Sequence, residues 1–449
     1  MRGGIPWSPV MLVLGIVLFA LGLLFSIAWH ELGHYSTARL FGIRVPEFMV
    51  GFGPTVLSRK IGETRFGFKA VPLGGYIRMI GMVPPAPGET IGRSRRSGPF
   101  QGMIDDVRAD SVRDFEPGDE DRQFWTRKPW QRIIVMVAGP AMNLILAIVL
   151  FAIVLMAIGV PTAQPVVNRV SACVLPASQS QVTQCPPEAP PTPAAQAGFQ
   201  PGDRIVSFDG RPFTEWAPLV DAIRAARGTV QVVVERPTPS GPVPVTLTPT
   251  LIDNQVPDLS PPPEGAPPDE PRYVTASFLG IEPTTPLVRQ DAGAVFTAGG
   301  TLLGRTVEAV SRLPEKIPGL FGAVFLGEER DVEGPVSIVG VSGLGGQVLD
   351  QHQAVLEEVA IFLNLLAAVN LSLFLLNLLP ILPLDGGHIL PALWEAAKKR
   401  LARLRGRPDP GPVDLARLMP IGVGFAGVIM AYGLLVIAAD IVNPIDIGL

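Results

Sequence analysis

The chain reads as an α-helical polytopic membrane protein with four transmembrane helices, an inserted extracytoplasmic α+β domain and a cytoplasmic β-hairpin or small sheet. Three observations predict this. Apolar runs at residues 11–29, 133–160, 359–384 and 418–439 are each long enough to cross the roughly 30 Å hydrocarbon layer of a bilayer. Lys and Arg collect in the first and third of the loops between those runs. The long loop between the second and third runs instead carries strand-like alternation broken by Pro and Gly turn signals. Composition agrees, with 449 residues, 47% hydrophobic, 17% charged and a mean hydropathy of +0.36. That length accommodates several modules. A net charge of −4 and a pI near 5.7 give no support for nucleic-acid binding.

The first run, 11–29, has Ser26 as its only polar side chain and leads straight into His-Glu-Leu-Gly-His at 30–34. On a helix, positions i and i+4 share a face, so His30 and His34 can offer ring nitrogens to one metal ion, with Glu31 beside them to take a proton from the attacking water. Ordinary surface residues after a helix are the plain alternative, as is a mature start after a signal peptide cut at 26–28. A signal peptide has an apolar core of about 7 to 15 residues and precedes an exported domain. Here the run is longer, and a basic stretch follows it.

Orientation follows from the basic residues. The segment 44–132 holds Arg44, Lys60, Arg65, Lys69, Arg78, Arg93, Arg95, Arg96, Arg127, Lys128 and Arg132, and the segment 391–417 holds Lys398, Lys399, Arg400, Arg403, Arg405 and Arg407. Both are expected in the cytoplasm. The segment between spans two and three and both termini then lie outside, and the metal motif sits near the cytoplasmic end of span one, in a multi-pass protein of the cell membrane. The expected domains are 1–43, 44–132, 133–160, 161–285, 286–355, 356–390, 391–417 and 418–449. Cys173 and Cys185 are the only cysteines, and both fall on the external side, where disulfides persist. A bridge between them and a pair of free thiols are both open.

Span three is unusually polar, with Asn364, Asn370, Ser372 and Asn377 followed by Pro380, Pro383 and Asp385-Gly386-Gly387-His388. Such groups should face protein or water rather than lipid. Catalytic zinc takes three protein ligands and keeps one open position. Asp385 is the preferred third ligand on chemistry, and His388 competes for the place.

These motifs resemble the site-2 protease family of zinc intramembrane proteases, in its bacterial branch that cleaves anti-sigma factors and related membrane-bound regulators. The resemblance rests on His-Glu-Leu-Gly-His at 30–34, Val-Gly-Phe-Gly-Pro at 50–54, Val-Pro-Leu-Gly-Gly-Tyr at 71–76, Gly-Pro-Ala-Met-Asn at 139–143, Gly-Pro-Val-Ser-Ile at 334–338, and Asn377 through Asp385-Gly. It implies His30, His34 and Asp385 as ligands of Zn2+ and Glu31 as the catalytic acid and base. It also implies Asn377 as a polar residue near the site, holding substrate or the developing oxyanion.

Within the external segment, residues 193–210 look like the core of a PDZ domain, with helix-like 216–226 and strand-like 230–235 after it. One such core is visible. The stretch 172–193, with both cysteines, reads as an insertion, and Pro-rich 252–272 as a mobile loop before a last strand at 273–281. A PDZ groove takes an extended peptide on a strand edge, so a peptide or a substrate ectodomain is the expected occupant. A passive external fold is the alternative. Residues 293–325 mix apolar stretches with Arg305, Glu308, Arg312 and Lys316, as amphipathic helices on the membrane lipid surface do, and packing on the PDZ module explains the pattern equally well.

In the first cytoplasmic loop, alternation over 64–73 after the Gly62-Glu63 turn predicts a hairpin beside the metal helix. A helical substrate hides its carbonyls in its own hydrogen bonds, so pairing with a strand edge would help open it, and Gly74 and Gly75 would let two backbones approach. A hairpin without substrate contact is the alternative. Residues 84–122 read as flexible. The expected activity is hydrolysis of peptide bonds within or near the spans of single-span membrane proteins. A zinc-binding scaffold or sensor that uses its PDZ domain without hydrolysis is the alternative class, and Glu31 discriminates, because a scaffold needs no base. A zinc transporter would need a ligand path across the membrane, which a single cluster does not offer.

Overall fold

The computed structural model describes residues 9–84, 101–111, 113–175, 185–186, 188–258, 272–328, 330–331, 334–337, 340 and 355–444. It divides into two compact units, 1–157 with 291–449, and 158–290.

In the first unit, α1 (Pro9–Leu40) continues through the metal motif, as the i, i+4 spacing of His30 and His34 requires. The first loop then folds back as β1 (Glu47–Ile61) and β2 (Thr64–Arg78), joined by the expected turn at Gly62-Glu63. Both strands bend. Positive φ angles at Gly51 and Gly74 (93° and 94°), which only glycine adopts at little cost, let residues 47–50 pair on one side with 65–68 and on the other with 75–78. The stretch 75–78 becomes an outer edge of the small sheet. The expected flexible segment 84–122 is corrected in its described part. It contains α2 (Gln101–Ser111), and it is anchored by the buried pair of Arg44 with Asp119 and by Arg44–Glu116 at 2.6 Å. Asp119 is buried against Arg44, a pairing that composition alone does not show.

The second span is α3 (Pro129–Ala152), prolonged by a π-helical turn at Ile153–Ile158. In the second unit, β3 (Val160–Pro161) and β4 (Gln164–Val170) come first, followed by α4 (Pro193–Ala197). Then come β5 (Arg204–Phe208), β6 (Arg211–Pro212), α5 (Trp216–Ala225), β7 (Val232–Arg236) and β8 (Val243–Leu247). The unit ends with β9 (Ile252–Pro257), β10 (Tyr273–Phe278), β11 (Ile281–Thr284) and β12 (Leu287–Val288). A six-stranded sheet runs β11-β4-β5-β7-β8 with β6 beside β5. Its core gathers Val167, Ile205, Phe208, Leu219, Val232 and Val234. Residues 252–257, expected in a mobile loop, pair with β10 as an antiparallel strand; Pro and acidic residues masked the alternation. Cys173 and Cys185 are joined by a disulfide.

Returning to the first unit, α6 (Ala292–Ser311) and α7 (Leu313–Phe321) lead to α8 (Val355–Asn377), α9 (Gly386–Leu404) and α10 (Met419–Val442). The apolar run 359–384 is not one helix. It stops at Asn377 and turns through 378–385, where Pro380 and Pro383 cannot continue the backbone ladder. Among the described residues four helices are long and apolar enough to cross a membrane, as a polytopic membrane protein requires. Their outward faces carry Leu18, Leu21, Phe25, Ile148, Val428 and Leu434, and Asn370 of α8 donates to Ser26 of α1 at 2.9 Å in the interior.

Candidate metal centre and active site

His30 and His34 stack on one face of α1, with Nε2 atoms 3.1 Å apart. Asp385 stands at the end of the turn between α8 and α9, and its Oδ2 lies 3.3 Å from each Nε2. Gly386 and Gly387 make that turn possible, since a Cβ on either would fall 2.2 Å from the Leu379 carbonyl oxygen or 2.5 Å from the Leu382 amide. Among the described residues, His30, His34 and Asp385 form a group able to hold a metal ion, each offering one ligand atom. A tetrahedral ion with bonds of about 2.0–2.1 Å keeps its ligand atoms about 3.3 Å apart. The three separations here match one face of that tetrahedron, with the fourth corner open. The donor set therefore fits zinc.

α3 orients the two rings. His34 Nδ1 lies 2.7 Å from the carbonyl oxygen of Val135, so a proton on Nδ1 is held there and the Nε2 lone pair is free for a metal. The Asn143 amide nitrogen sits 3.1 Å from His30 Nδ1, and its Oδ1 has no hydrogen-bond partner among the described residues. With the amide turned so that Oδ1 accepts from Nδ1–H, His30 too presents an unprotonated Nε2. Such closeness depends on two glycines. A Cβ on Gly33 would lie 2.4 Å from the Ala138 carbonyl oxygen, and one on Gly139 would lie 2.1 Å from His34 Nε2.

Glu31 is buried, at 7% exposure, and shares with His30, His34, Asp385 and His388 a cavity of about 230 Å³. Gly75, Tyr76 and Ile77 of β2 line another wall. A side chain at 75 would press on Ile27 and Glu31, with Cβ 2.8 Å and 3.0 Å from their nearest atoms. The arrangement offers three ligand atoms, a carboxylate within the same cavity, and a strand edge passing over both.

Of the sequence candidates, His30, Glu31, His34, Asp385 and Gly75 meet in this cavity. His388 lines it but is not one of the three grouped ligands. Asn377 ends α8 and Gly74 lies against the Phe52 ring; neither lines the cavity. Cys173 and Cys185 belong to the other unit. Sequence reasoning gave no role to Val135, Gly139 or Asn143. The motif at 139–143 was the available signal for two of them, whereas a backbone carbonyl leaves none.

The sequence model of peptidase family M50 matches residues 18–408. The chain belongs to that family, and it is a site-2-type zinc metalloprotease of the membrane with Zn2+ as its cofactor. It is 33% identical over 443 residues to the zinc metalloprotease Rip1 of Mycobacterium tuberculosis (strain ATCC 25618 / H37Rv), covering 97% of this chain and 99% of that protein. The Rip1 of Mycolicibacterium smegmatis is 33% identical over 449 residues, 98% of this chain and 100% of its own length. The metalloprotease MmpA of Caulobacter vibrioides is 29% identical over 407 residues, 88% of this chain and 89% of that protein.

Proposed function

We propose that the protein is an intramembrane endopeptidase that cuts single-span membrane regulators, such as anti-sigma factors, within or near their spans. His30, His34 and Asp385 would hold the zinc, and Glu31 would act as acid and base. The observation that carries this reading is the near-tetrahedral spacing of the three ligand atoms in one cavity with Glu31. Zinc held there supplies Lewis acidity toward a water and the scissile carbonyl. Glu31 takes the proton of the attacking water and passes it to the leaving nitrogen. The edge 75–78, which pairs with 47–50 on one side only among the described residues, receives the substrate as an extended strand and keeps its carbonyl out of helical hydrogen bonds.

The second unit acts in this reading as an extracytoplasmic PDZ domain. Its strand order, α5 and a cavity of about 200 Å³ between α5 and residues 278–281 support a peptide or a substrate ectodomain as its occupant. The basic segments 44–132 and 391–417 support a cytoplasmic side for the hairpin and the metal. The expected domain limits are part of the same proposal.

The test compares zinc content and cleavage of a panel of single-span substrates by detergent-purified wild type, Glu31→Ala and Asp385→Ala. Wild type should hold one equivalent of zinc and cut, Glu31→Ala should hold zinc without cutting, and Asp385→Ala should lose both. Equal zinc in all three would remove Asp385 from the ligand set.

A further inference from the structure

The geometry points to a second substrate-reading element: an acidic-walled groove, contiguous with the metal cavity, that selects substrates carrying Lys or Arg beside the cut segment. This rests on the endopeptidase reading and names the class of substrate that it favours. A cavity of about 550 Å³ lies between the end of β2 and α2. It shares Tyr76, Ile77, Met79 and Met82 with the cavity around the metal ligands, so a chain laid along β2 past the metal enters it directly.

The far wall is α2. That helix is docked by one face, where Ile104 and Val107 pack on Val83, Leu415 and Ala416, and where Arg108 donates to Asp414 at 2.7 Å. Asp106 and Asp110, one turn apart, line the groove, and both are exposed to it. Arg78 is the one cation in the lining among the described residues. Asp114 at 2.9 Å and Glu47 at 3.5 Å already face it. The exposed Arg113 reaches Asp110 only at 3.9 Å. Among the described residues the lining thus sets two carboxylates, Asp106 and Asp110, against one guanidinium over a floor of methionines, which adapt to varied shapes.

The occupant that fits is the flank of the substrate itself. Transmembrane segments carry their Lys and Arg on one side by the same rule that orients this chain, and the long stems of those residues lie well on apolar surface while the head group meets a carboxylate. Two exposed ion pairs, each worth a modest amount, give a preference of about fivefold.

The experiment uses the full-length, zinc-loaded protein in detergent and three test substrates with one apolar span, flanked on the groove side by Lys-Lys, Ser-Ser or Glu-Glu. Wild type should cut the Lys-Lys substrate with a kcat/KM about fivefold above Ser-Ser, a ratio that shrinks as salt rises. The double variant Asp106→Asn with Asp110→Asn should bring the Lys-Lys to Ser-Ser ratio to about one, and Asp106→Lys with Asp110→Lys should favour Glu-Glu. An unchanged Lys-Lys preference in both double variants overturns the proposal. Wild-type cleavage of all three at one rate overturns flank selection alone. Failure of wild type to cut any of them overturns it together with the endopeptidase reading.

Discussion

Gly139→Ala is the most incisive perturbation of the metal centre, because it adds one methyl group and changes no ligand. The added Cβ would lie 2.1 Å from His34 Nε2 and 2.6 Å from two ring carbons, against an ordinary contact limit of 3.4 Å. Either the ring or α3 must therefore retreat by about 1.3 Å, whereas a zinc bond tolerates about 0.2 Å. Disturbing a group that orients a ligand costs about 10- to 100-fold in metal affinity, and a misplacement of about 1 Å costs about 100-fold in rate. Zinc affinity, measured by competition with a chromogenic chelator, should fall at least tenfold, which is about 1.4 kcal/mol, and kcat/KM should fall about 100-fold. The control is Gly22→Ala on α1, where the nearest atoms to the new Cβ are the flexible end of Leu366 on α8, at 3.2 Å. It should leave both quantities near wild type. Wild-type zinc affinity and turnover in Gly139→Ala would refute the close α1–α3 packing at His34.

Three further outcomes are expected. Glu31→Gln should keep its zinc while turnover drops by roughly 10²- to 10⁴-fold, measured on one single-span substrate alongside metal analysis; substantial remaining turnover would take the acid–base role from Glu31. Arg132→Met breaks the buried pair with Glu395 (2.6 Å), though Lys399 stays at 2.9 Å. It should cost about 3 kcal/mol in unfolding experiments, with much of that recovered in Arg132→Met with Glu395→Met; equal stabilities for all three would refute a structural role for the pair. Glu63 is held down to about 2 by hydrogen bonds from Arg122 and Arg39, against 4.5 ordinarily. Its contribution is therefore present above about pH 4.5 and lost as pH falls toward about 2. Glu63→Gln should be slightly less stable than wild type at pH 7 and equal to it at the bottom of that window; a gap that persists there would show another origin.

Much of the fold was legible because lipid imposes a length and a composition that few other settings do. The four apolar runs correspond to four helices, and the Gly62-Glu63 turn to the hairpin. The misplaced end of the third run has a physical reason: hydropathy cannot see that α8 stops at Asn377, ahead of Pro380 and Pro383, within a run long enough to cross a membrane. The ligand spacing at His30 and His34 is a local property of a helix and so was readable. Asp385 was readable only as a preference over His388, because its position depends on a turn packed against a distant helix.

What sequence could not express is how the second helix builds the site. Neither Val135 nor Asn143 offers a metal ligand, yet one holds His34 by a backbone carbonyl and the other faces His30 through an amide. Both act only because Gly33 and Gly139 bring α1 and α3 into backbone contact. In the proposed site the order of causes would run from two absent side chains, through helix approach, to the tautomer of each imidazole, and so to which nitrogen meets the metal. A ligand motif therefore marks where zinc can bind, while the small residues on its neighbour decide whether both rings present the same nitrogen to it.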